Sequence, residues 1–435
     1  MKREANRISS DFFAFFLVIL LLLMTAASSA AEGTLNLEEL IREALKNSPE
    51  IGVSGAKASA STYRIPQATS LSDPMLMFGY QNEGTSNLYS FNNEMAEGSQ
   101  WMFSASQLFP FPGKRSLKGE MAAKDTESLN AVHEAVKLNT VGRVKELYYD
   151  LFLTYNDIDL IRDKMTLFAR VEDAALARYS SGMAPQQEVL MAQTEKYMLL
   201  EKEEMLRQRL QSLEAMLNAA VGREIGSPLG RPGEPAAAPF GHSLEELLKI
   251  TQDNSPVIKS KEKMLAGAEA KVQMAKKEYY PDFTVNASYY ARNPYYQDMW
   301  SLTTTLNIPI FYKTKQKQAV LEATAALAEA KNEKESAKLM ATSAVRDNYA
   351  MLKAAERLKV LYRDGLIPKA YQDFEQAIAG YISSKVEAIT VVTRLKALID
   401  YELLYWGQFV AREKAVARLE SIAGITDSVT KAVEK

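Results

Sequence analysis

Polar and apolar positions alternate without a slip along residues 282–289. Asp282, Thr284, Asn286 and Ser288 fall on one face, and Phe283, Val285, Ala287 and Tyr289 on the other. Residues 301–308 behave alike, Ser301, Thr303, Thr305 and Asn307 interleaving with Leu302, Thr304, Leu306 and Ile308. A period of two predicts β-strands with one sheltered face. Weaker counterparts span 75–81 and 100–109, around a polar, Gly- and Asn-rich loop at 82–99. Taken singly, each strand fits a soluble sandwich as well as a barrel.

The flanking segments have a different period. Residues 114–179 hold no proline, and glycine only at 119 and 142. Val141, Val144, Leu147, Leu151, Tyr155, Ile158, Ile161, Met165, Phe168, Val171 and Ala175 recur at steps of three and four, the spacing of a coiled-coil seam. At 1.5 Å per residue such a helix is about 100 Å long. A return helix follows from Pro185 to about Val221, and the second half carries a matching pair. Within it, Gly365-Leu366-Ile367-Pro368 has no counterpart in the first half; proline there predicts a kink or interruption.

The chain repeats itself. Leu37-Glu38-Glu39-Leu40 returns as Leu244-Glu245-Glu246-Leu247, and Asn47-Ser48-Pro49-Glu50-Ile51 as Asn254-Ser255-Pro256-Val257-Ile258. Pro74 matches Pro281, Trp101 with Phe109-Pro110-Phe111 matches Trp300 with Ile308-Pro309-Ile310, and Tyr179-Ser180-Ser181-Gly182 matches Tyr381-Ile382-Ser383-Ser384. The expected organisation is a first repeat at 32–225, a Pro/Gly-rich exposed linker at 226–242, a second repeat at 243–424 and a tail at 425–435. Each repeat reads helix, strand, strand, helix, helix. Prolines 74, 110, 112, 281 and 309, with Gly113, mark the helix–strand junctions, where one backbone geometry stops and another begins.

Composition then narrows the function. Lys2, Arg3 and Arg7 precede an apolar run from Phe12 to Met24 and a small-residue stretch at 26–31, the pattern of a cleaved signal peptide over 1–31. There is no cysteine, and only His133 and His242, so disulfides, thiolate metal sites and histidine-based catalysis have no basis. No cofactor or metal is expected, and no enzyme. A net charge of −2 gives no reason to invoke nucleic acid. Met75, Met77, Met95 and Met102 surround the first strand pair; thioethers bind soft Cu(I), but methionine on a strand is more often lipid-facing or packing material. Tyr80, Trp101, Tyr289, Tyr290 and Trp300 near strand ends suit a membrane-interface girdle.

Four strands are too few for a membrane barrel, the smallest of which have about eight, and open sheet edges are not tolerated in lipid. Sharing one barrel among copies resolves this, and three copies supply twelve strands.

The duplicated layout, the junction Gln107-Leu108-Phe109-Pro110-Phe111-Pro112-Gly113-Lys114 and the hairpin turn Tyr179-Ser180-Ser181-Gly182 leading to Val189-Leu190 resemble the TolC family of outer-membrane factors. The resemblance covers essentially the whole mature chain. It implies a mainly α protomer, a homotrimer with a 12-stranded β-barrel in outer-membrane lipid, and an α-helical tunnel across the periplasm. It further implies a periplasmic adaptor protein at the tunnel tip and an inner-membrane efflux transporter beyond it. By that resemblance Gly182, Pro185, Glu188, Val189 and Leu190 are the first-tip candidates, with Ser384, Lys385 and Glu387 at the second. Ser384 stands where the family usually has glycine, and Thr390-Val391-Val392-Thr393 carries no carboxylate where some members have aspartates; the expected tip is asymmetric. The junction and Leu366-Ile367-Pro368-Lys369-Ala370 resemble heavy-metal or multidrug members more than type I secretion ducts. A soluble periplasmic coiled-coil scaffold is the rival from another class.

Overall fold

The computed structural model describes residues 34–82, 99–235, 240–292 and 296–425. The leader at 1–31, most of the 82–99 loop including Met95, and the tail beyond Ile425 lie outside the described residues. In the first half, helices α1 (Leu37–Asn47), α2 (Pro49–Thr62) and α3 (Arg64–Thr69) lead to strands β1 (Met75–Gln81) and β2 (Gln100–Phe109). Helices α4 (Lys114–Ser180) and α5 (Gln186–Val221) follow. The second half runs α6 (Leu244–Asn254), α7 (Pro256–Lys277), β3 (Asp282–Arg292), β4 (Met299–Asn307) and α8 (Gln316–Val360). A π-helical turn (Leu361–Leu366), α9 (Ile367–Ile382) and α10 (Ala388–Ala423) complete it.

Local chemistry sets the ends. The Asn36 side chain accepts the Glu38 N–H at 2.8 Å and caps α1, as short polar residues do. Gly222 closes α5 at φ +81° and Gly424 closes α10 at φ +73°, the left-handed stop that glycine takes freely. At Gly222 a Cβ would lie 2.5 Å from the Asn47 carbonyl oxygen, so packing enforces the same choice.

The chain forms two compact units, each drawing on both halves. One joins Met1–Ile51, Lys137–Leu248 and Ala344–Lys435; the other joins Gly52–Val136 and Lys249–Ser343. In the first unit the duplication is visible as two copies of one core. Leu40, Val144, Leu151, Leu217 and Val221 pack together; Leu247, Val345, Leu352 and Leu419 do so in the second repeat. The predicted α4 seam is largely buried, with Val144, Leu151, Ile161 and Ala175 fully enclosed, while Tyr155 and Met165 are only partly covered.

Of the linker, the described stretch 226–235 is exposed or partly exposed at most positions but tied to the helices at several points. Leu35 donates its N–H to the Arg231 carbonyl at 2.9 Å and bridges in parallel to Pro232. Arg231 pairs with Asp159, and the Tyr148 hydroxyl lies 3.3 Å from the carbonyls of Leu35 and Gly233. Proline and glycine bar helix here, yet leave carbonyls that the helices can bind.

Matching residues of the two repeats shows why the second is interrupted. Val144 corresponds to Val345, Tyr148 to Tyr349 and Leu151 to Leu352, a spacing of 201 residues, whereas Tyr179 corresponds to Tyr381, a spacing of 202. The additional residue is absorbed between these points by the π turn Leu361–Leu366, where the Ile367 N–H reaches back to the Tyr362 carbonyl. A single π turn inside an α-helix, bonded i to i+5, takes up one residue more than the α turn it replaces. Pro368 then sits in the first turn of α9, where its missing N–H costs nothing. The expected interruption is therefore a register correction.

In the second unit the strands form one antiparallel sheet in the order β1-β2-β3-β4. The first-half strands match the expected bounds; β3 runs past Tyr289 to Arg292, and β4 covers Met299–Asn307 instead of 301–308.

Deleting Gly365 removes the additional residue but drives the Pro368 ring into a continuous helix. We expect this to lower stability by about 3 kcal/mol. Adding Pro368→Ala to the deletion should recover most of that loss, measured by thermal or denaturant unfolding.

Candidate functional site

The ladder registers align the two faces across all four strands. One row runs Phe78, Phe103, Tyr289, Trp300, and the next runs Leu76, Ala105, Ala287, Leu302. Phe78 stacks on Trp101 at 4.9 Å and Phe109 on Phe283 at 5.4 Å, pairs of the kind that hold sheets together. This face is apolar and uncovered: Leu76 is 82 % exposed and Trp300 79 %.

The opposite face reads Met77, Ser104, Ser288, Ser301 and Met75, Ser106, Asn286, Thr303. Ser104 donates to Asn286 Oδ1 at 2.6 Å, and Ser288 to Ser104 at 3.1 Å. Strand parity bears on two expectations. Met75, Met77 and Met102 lie on this polar face because each alternates with residues of the apolar one, Leu76 between the first two and Trp101 and Phe103 on either side of the third. Tyr290, in the row Gly79, Met102, Tyr290, Met299, also leaves the aromatic set. The outer edges of β1 and β4 have no partner strand among the described residues.

At the junctions, Pro74 and Pro281 immediately precede β1 and β3, Pro110 follows β2, and Pro309 lies just beyond β4. Pro112 and Gly113 fill the turn into α4, Gly113 at φ +92°. This turn is locked to the second repeat. The Lys114 ammonium, 3 % exposed, donates to Asp282 Oδ1 at 2.8 Å, the Tyr280 carbonyl at 3.1 Å and Glu278 at 3.3 Å. The Phe111 N–H donates to the same Asp282 oxygen at 2.7 Å, and its ring stacks on Tyr280 at 4.5 Å. A buried ammonium is tolerated because all three of its hydrogens have acceptors.

At the other end of the long helices, the two hairpins turn alike. The Gly182 and Met183 N–H groups return to Tyr179 and Arg178; those of Ser384 and Lys385 return to Tyr381 and Gly380. Gly182 adopts φ +73° and Ser384 φ +61°. Serine thus takes the left-handed conformation at a strain cost of about 1 kcal/mol. The backbone is symmetric; the asymmetry expected from Gly182 and Ser384 resides in other side chains.

Arg178 of the first hairpin places its guanidinium 4.4 Å over the Tyr381 ring and donates to the Tyr381 carbonyl at 2.7 Å. The Tyr381 hydroxyl, in a fully buried side chain, donates to Glu188 Oε2 at 2.6 Å. Burial first, then this hydrogen bond, push the hydroxyl well above its ordinary pKa, so Tyr381 remains a neutral donor. In the second repeat Gly380 stands in place of Arg178 and Thr390 in place of Glu188. A Cβ at Gly380 would lie 2.7 Å from a Val386 methyl, so a side chain there requires Val386 to move.

Of the sequence-predicted tip residues, Gly182, Pro185, Leu190, Ser384, Lys385 and Glu387 are exposed. Pro185 and Glu387 occupy the N-cap positions of α5 and α10. Val189 is buried in the hairpin core with Phe168, Phe374 and Val391, so it is unavailable to a partner, and Glu188 is engaged by Tyr381. Sequence reasoning missed Arg178 and Tyr381, and also the exposed Tyr179, Met183, Ile382 and Ile389. Their signal was present: apolar residues at turn positions that a polar loop would not need.

A family model described as outer membrane efflux protein matches residues 40–223 and 247–390. No curated protein matches the sequence. The fold is similar to that of a membrane protein from Pseudomonas aeruginosa (TM-score 0.78, 16% identity, 90% of this chain and 92% of that one). It is also similar to the outer membrane protein VceC from Vibrio cholerae (0.75, 17%, 89% and 96%). The Campylobacter jejuni CmeC outer membrane channel is a further match (0.74, 11%, 92% and 88%).

Tyr381→Phe leaves Glu188 partly buried without its donor and should destabilise the tip by about 1–3 kcal/mol. The expected readout is faster amide exchange confined to residues near 178–190 and 380–392, with exchange in the Leu40 and Leu247 cores unchanged.

Proposed function

This chain belongs to the outer membrane efflux protein family, and from that premise we propose how its parts divide the work of a channel. It is an outer-membrane efflux channel that extends into the periplasm. Channels of this family are trimeric and work with adaptor proteins and inner-membrane transporters in tripartite pumps. In our reading the sheet is one third of a 12-stranded barrel. Its Leu76–Trp300 face meets outer-membrane lipid, and its Ser104–Ser288 face lines water.

The observation that carries this reading is the sheet itself, apolar on one face, polar on the other and open at both edges. An edge-exposed four-stranded sheet cannot persist in lipid, and closure removes the edges. The polar face offers hydroxyls, amides and thioethers, with charge confined near the strand ends at Asp282 and Arg292. Such a surface passes solutes without selecting them, so choice of cargo falls to the inner-membrane transporter. No step of transport is assigned to catalysis.

At the hairpin tips we assign Met183, Leu190, Ile382 and Ile389, with Lys385 and Glu387, to adaptor contact. The Arg178–Tyr381–Glu188 link ties the hairpins of one protomer, and so sets the tip's resting shape. The direct test is the purified chain in detergent. Light scattering should give the mass of a trimer, and reconstitution in a planar bilayer should give stepwise ion conductance. A monodisperse monomer without conductance would falsify the reading.

Adjacent residues on β4 separate the faces. Leu302→Lys places a charge on the lipid side and should cost about 2–4 kcal/mol near the membrane midplane, abolishing recovery of the protein from outer membranes. Ser301→Lys, on the water side, should insert at wild-type yield. Equal yields for the two would overturn the assignment of faces.

A further inference from the structure

Resting on the trimeric reading, we infer that a line of opposite charges joins neighbouring copies near the barrel: Lys315, Glu322 and Glu329 of one copy against Asp73, Arg64 and Lys57 of a second copy. The duplication carries the argument. In the second unit the repeats obey a common geometry: His133 packs against Gly55 in the first, and the corresponding pair in the second, Lys334 and Glu262, forms an ion pair at 3.1 Å. The same two helix faces therefore meet in both repeats, to within a residue: Ser54 bonds His133, and its counterpart Lys261 pairs with Glu333, next to the counterpart of His133.

In the second unit the helices of the two repeats meet where α4 passes α7. Lys114 reaches Glu278 and Asp282, Ser128 bonds Ser260 at 2.9 Å, and Lys263 pairs with Glu127 at 2.7 Å. Lys114 and Ser128 are two heptads apart on α4, so they and Met121 between them share the face turned to α7. Carried into the second repeat by the 201-residue spacing, these positions become Lys315, Glu322 and Glu329. Their chain has no third repeat to meet, and all three are exposed.

The complementary surface lies at the other edge of the chain. Leu37 corresponds to Leu244 and Pro74 to Pro281, a spacing of 207, which carries the segment of α7 and the β3 junction onto α2, α3 and the β1 junction. Tyr280, whose carbonyl holds Lys114, becomes Asp73; Lys271 becomes Arg64; Met264, beside Lys263, becomes Lys57. The helices run antiparallel, so Lys315 comes opposite Asp73, and Glu322 comes opposite Arg64 midway along. Glu329 comes opposite Val53, the counterpart of Ser260, with Lys57 one turn away and within reach of its carboxylate. Every pairing is of opposite sign. Lys57, Asp73, Lys315, Glu322 and Glu329 make no side-chain hydrogen bond or ion pair among the described residues, and Arg64 has only an exposed contact to Asp125 at 3.6 Å. One chain cannot join these sets itself, because its sheet order puts Asp73 beside β1 and Lys315 beyond β4, three strand spacings or roughly 14 Å apart.

The occupant of this surface is thus a second copy, and its lead contact, Lys315 to Asp73, is the counterpart of the Lys114 lock. The absence of native cysteine makes the test clean. Asp73→Cys and Lys315→Cys in one full-length chain should be joined by a short bismaleimide, since ion-paired residues stand too far apart for a disulfide. Denaturing gels should then show covalent dimers and trimers, and neither single variant should give them. A chain that light scattering finds trimeric but that yields no covalent multimer overturns this pairing and leaves the trimer standing. A monomeric chain overturns both. Independently, Lys315→Asp and Asp73→Lys should each lower the temperature at which the trimer dissociates in detergent, and the double swap should restore it. Absence of that recovery also overturns the pairing.

Discussion

A backbone amide or carbonyl in lipid has no water to turn to, and the rest of this molecule follows from that constraint. Four strands supply two open edges, which must be matched by edges of other copies. The alternation of Leu76, Phe78, Tyr80 with Met77, Gly79, Gln81 gives the sheet one apolar and one more polar face, the pattern that strands of membrane barrels have. The prolines at 74, 110, 281 and 309 serve it at the junctions, ending ladder hydrogen bonding where the strands give way to helices.

Duplication then governs how tightly each part is specified. A repeat that meets a copy of itself must make two kinds of seam, within the chain and between chains, from one ancestral geometry. At the barrel junction the inner seam buries Lys114 with three acceptors, an arrangement that is strongly destabilising to break by halves. At the hairpin tips the inner seam has Arg178 and Glu188 around Tyr381, whereas the corresponding outer positions are Gly380 and Thr390. The inner tip seam is held by charge-assisted bonds.

Much of this was legible in the sequence because the constraints are periodic. The strands announce themselves through Phe283-Thr284-Val285-Asn286, and α4 through its seam from Val141 to Ala175. Residue type alone left the methionines open between lipid-facing, packing and Cu(I)-binding roles; parity gives their face, since Met75 and Met77 flank Leu76 and so lie with Ser106 and Ser104. The tip link was not legible, since Arg178, Glu188 and Tyr381 belong to different repeats, and no local pattern relates a guanidinium to a ring some two hundred residues on. Nor was the docking of Arg231 and Pro232 against Leu35, because proline and glycine show what the backbone cannot do but not what binds its free carbonyls.

The π turn shows how a single residue can be read at both levels. Proline at 368 suggested a bend, and bending seemed the reason for it. The spacing between repeats, 201 residues at Val345 and 202 at Tyr381, points to a different cause. An insertion in a long coiled helix would rotate everything beyond it by about 100°, carrying Phe374, Ile378 and Tyr381 off the core. Widening one turn confines the error to Leu361–Leu366, and those residues keep their burial. Pro368 is tolerated because the widened turn already lacks the hydrogen bond that proline would remove. The cause is therefore the insertion, and the proline its consequence.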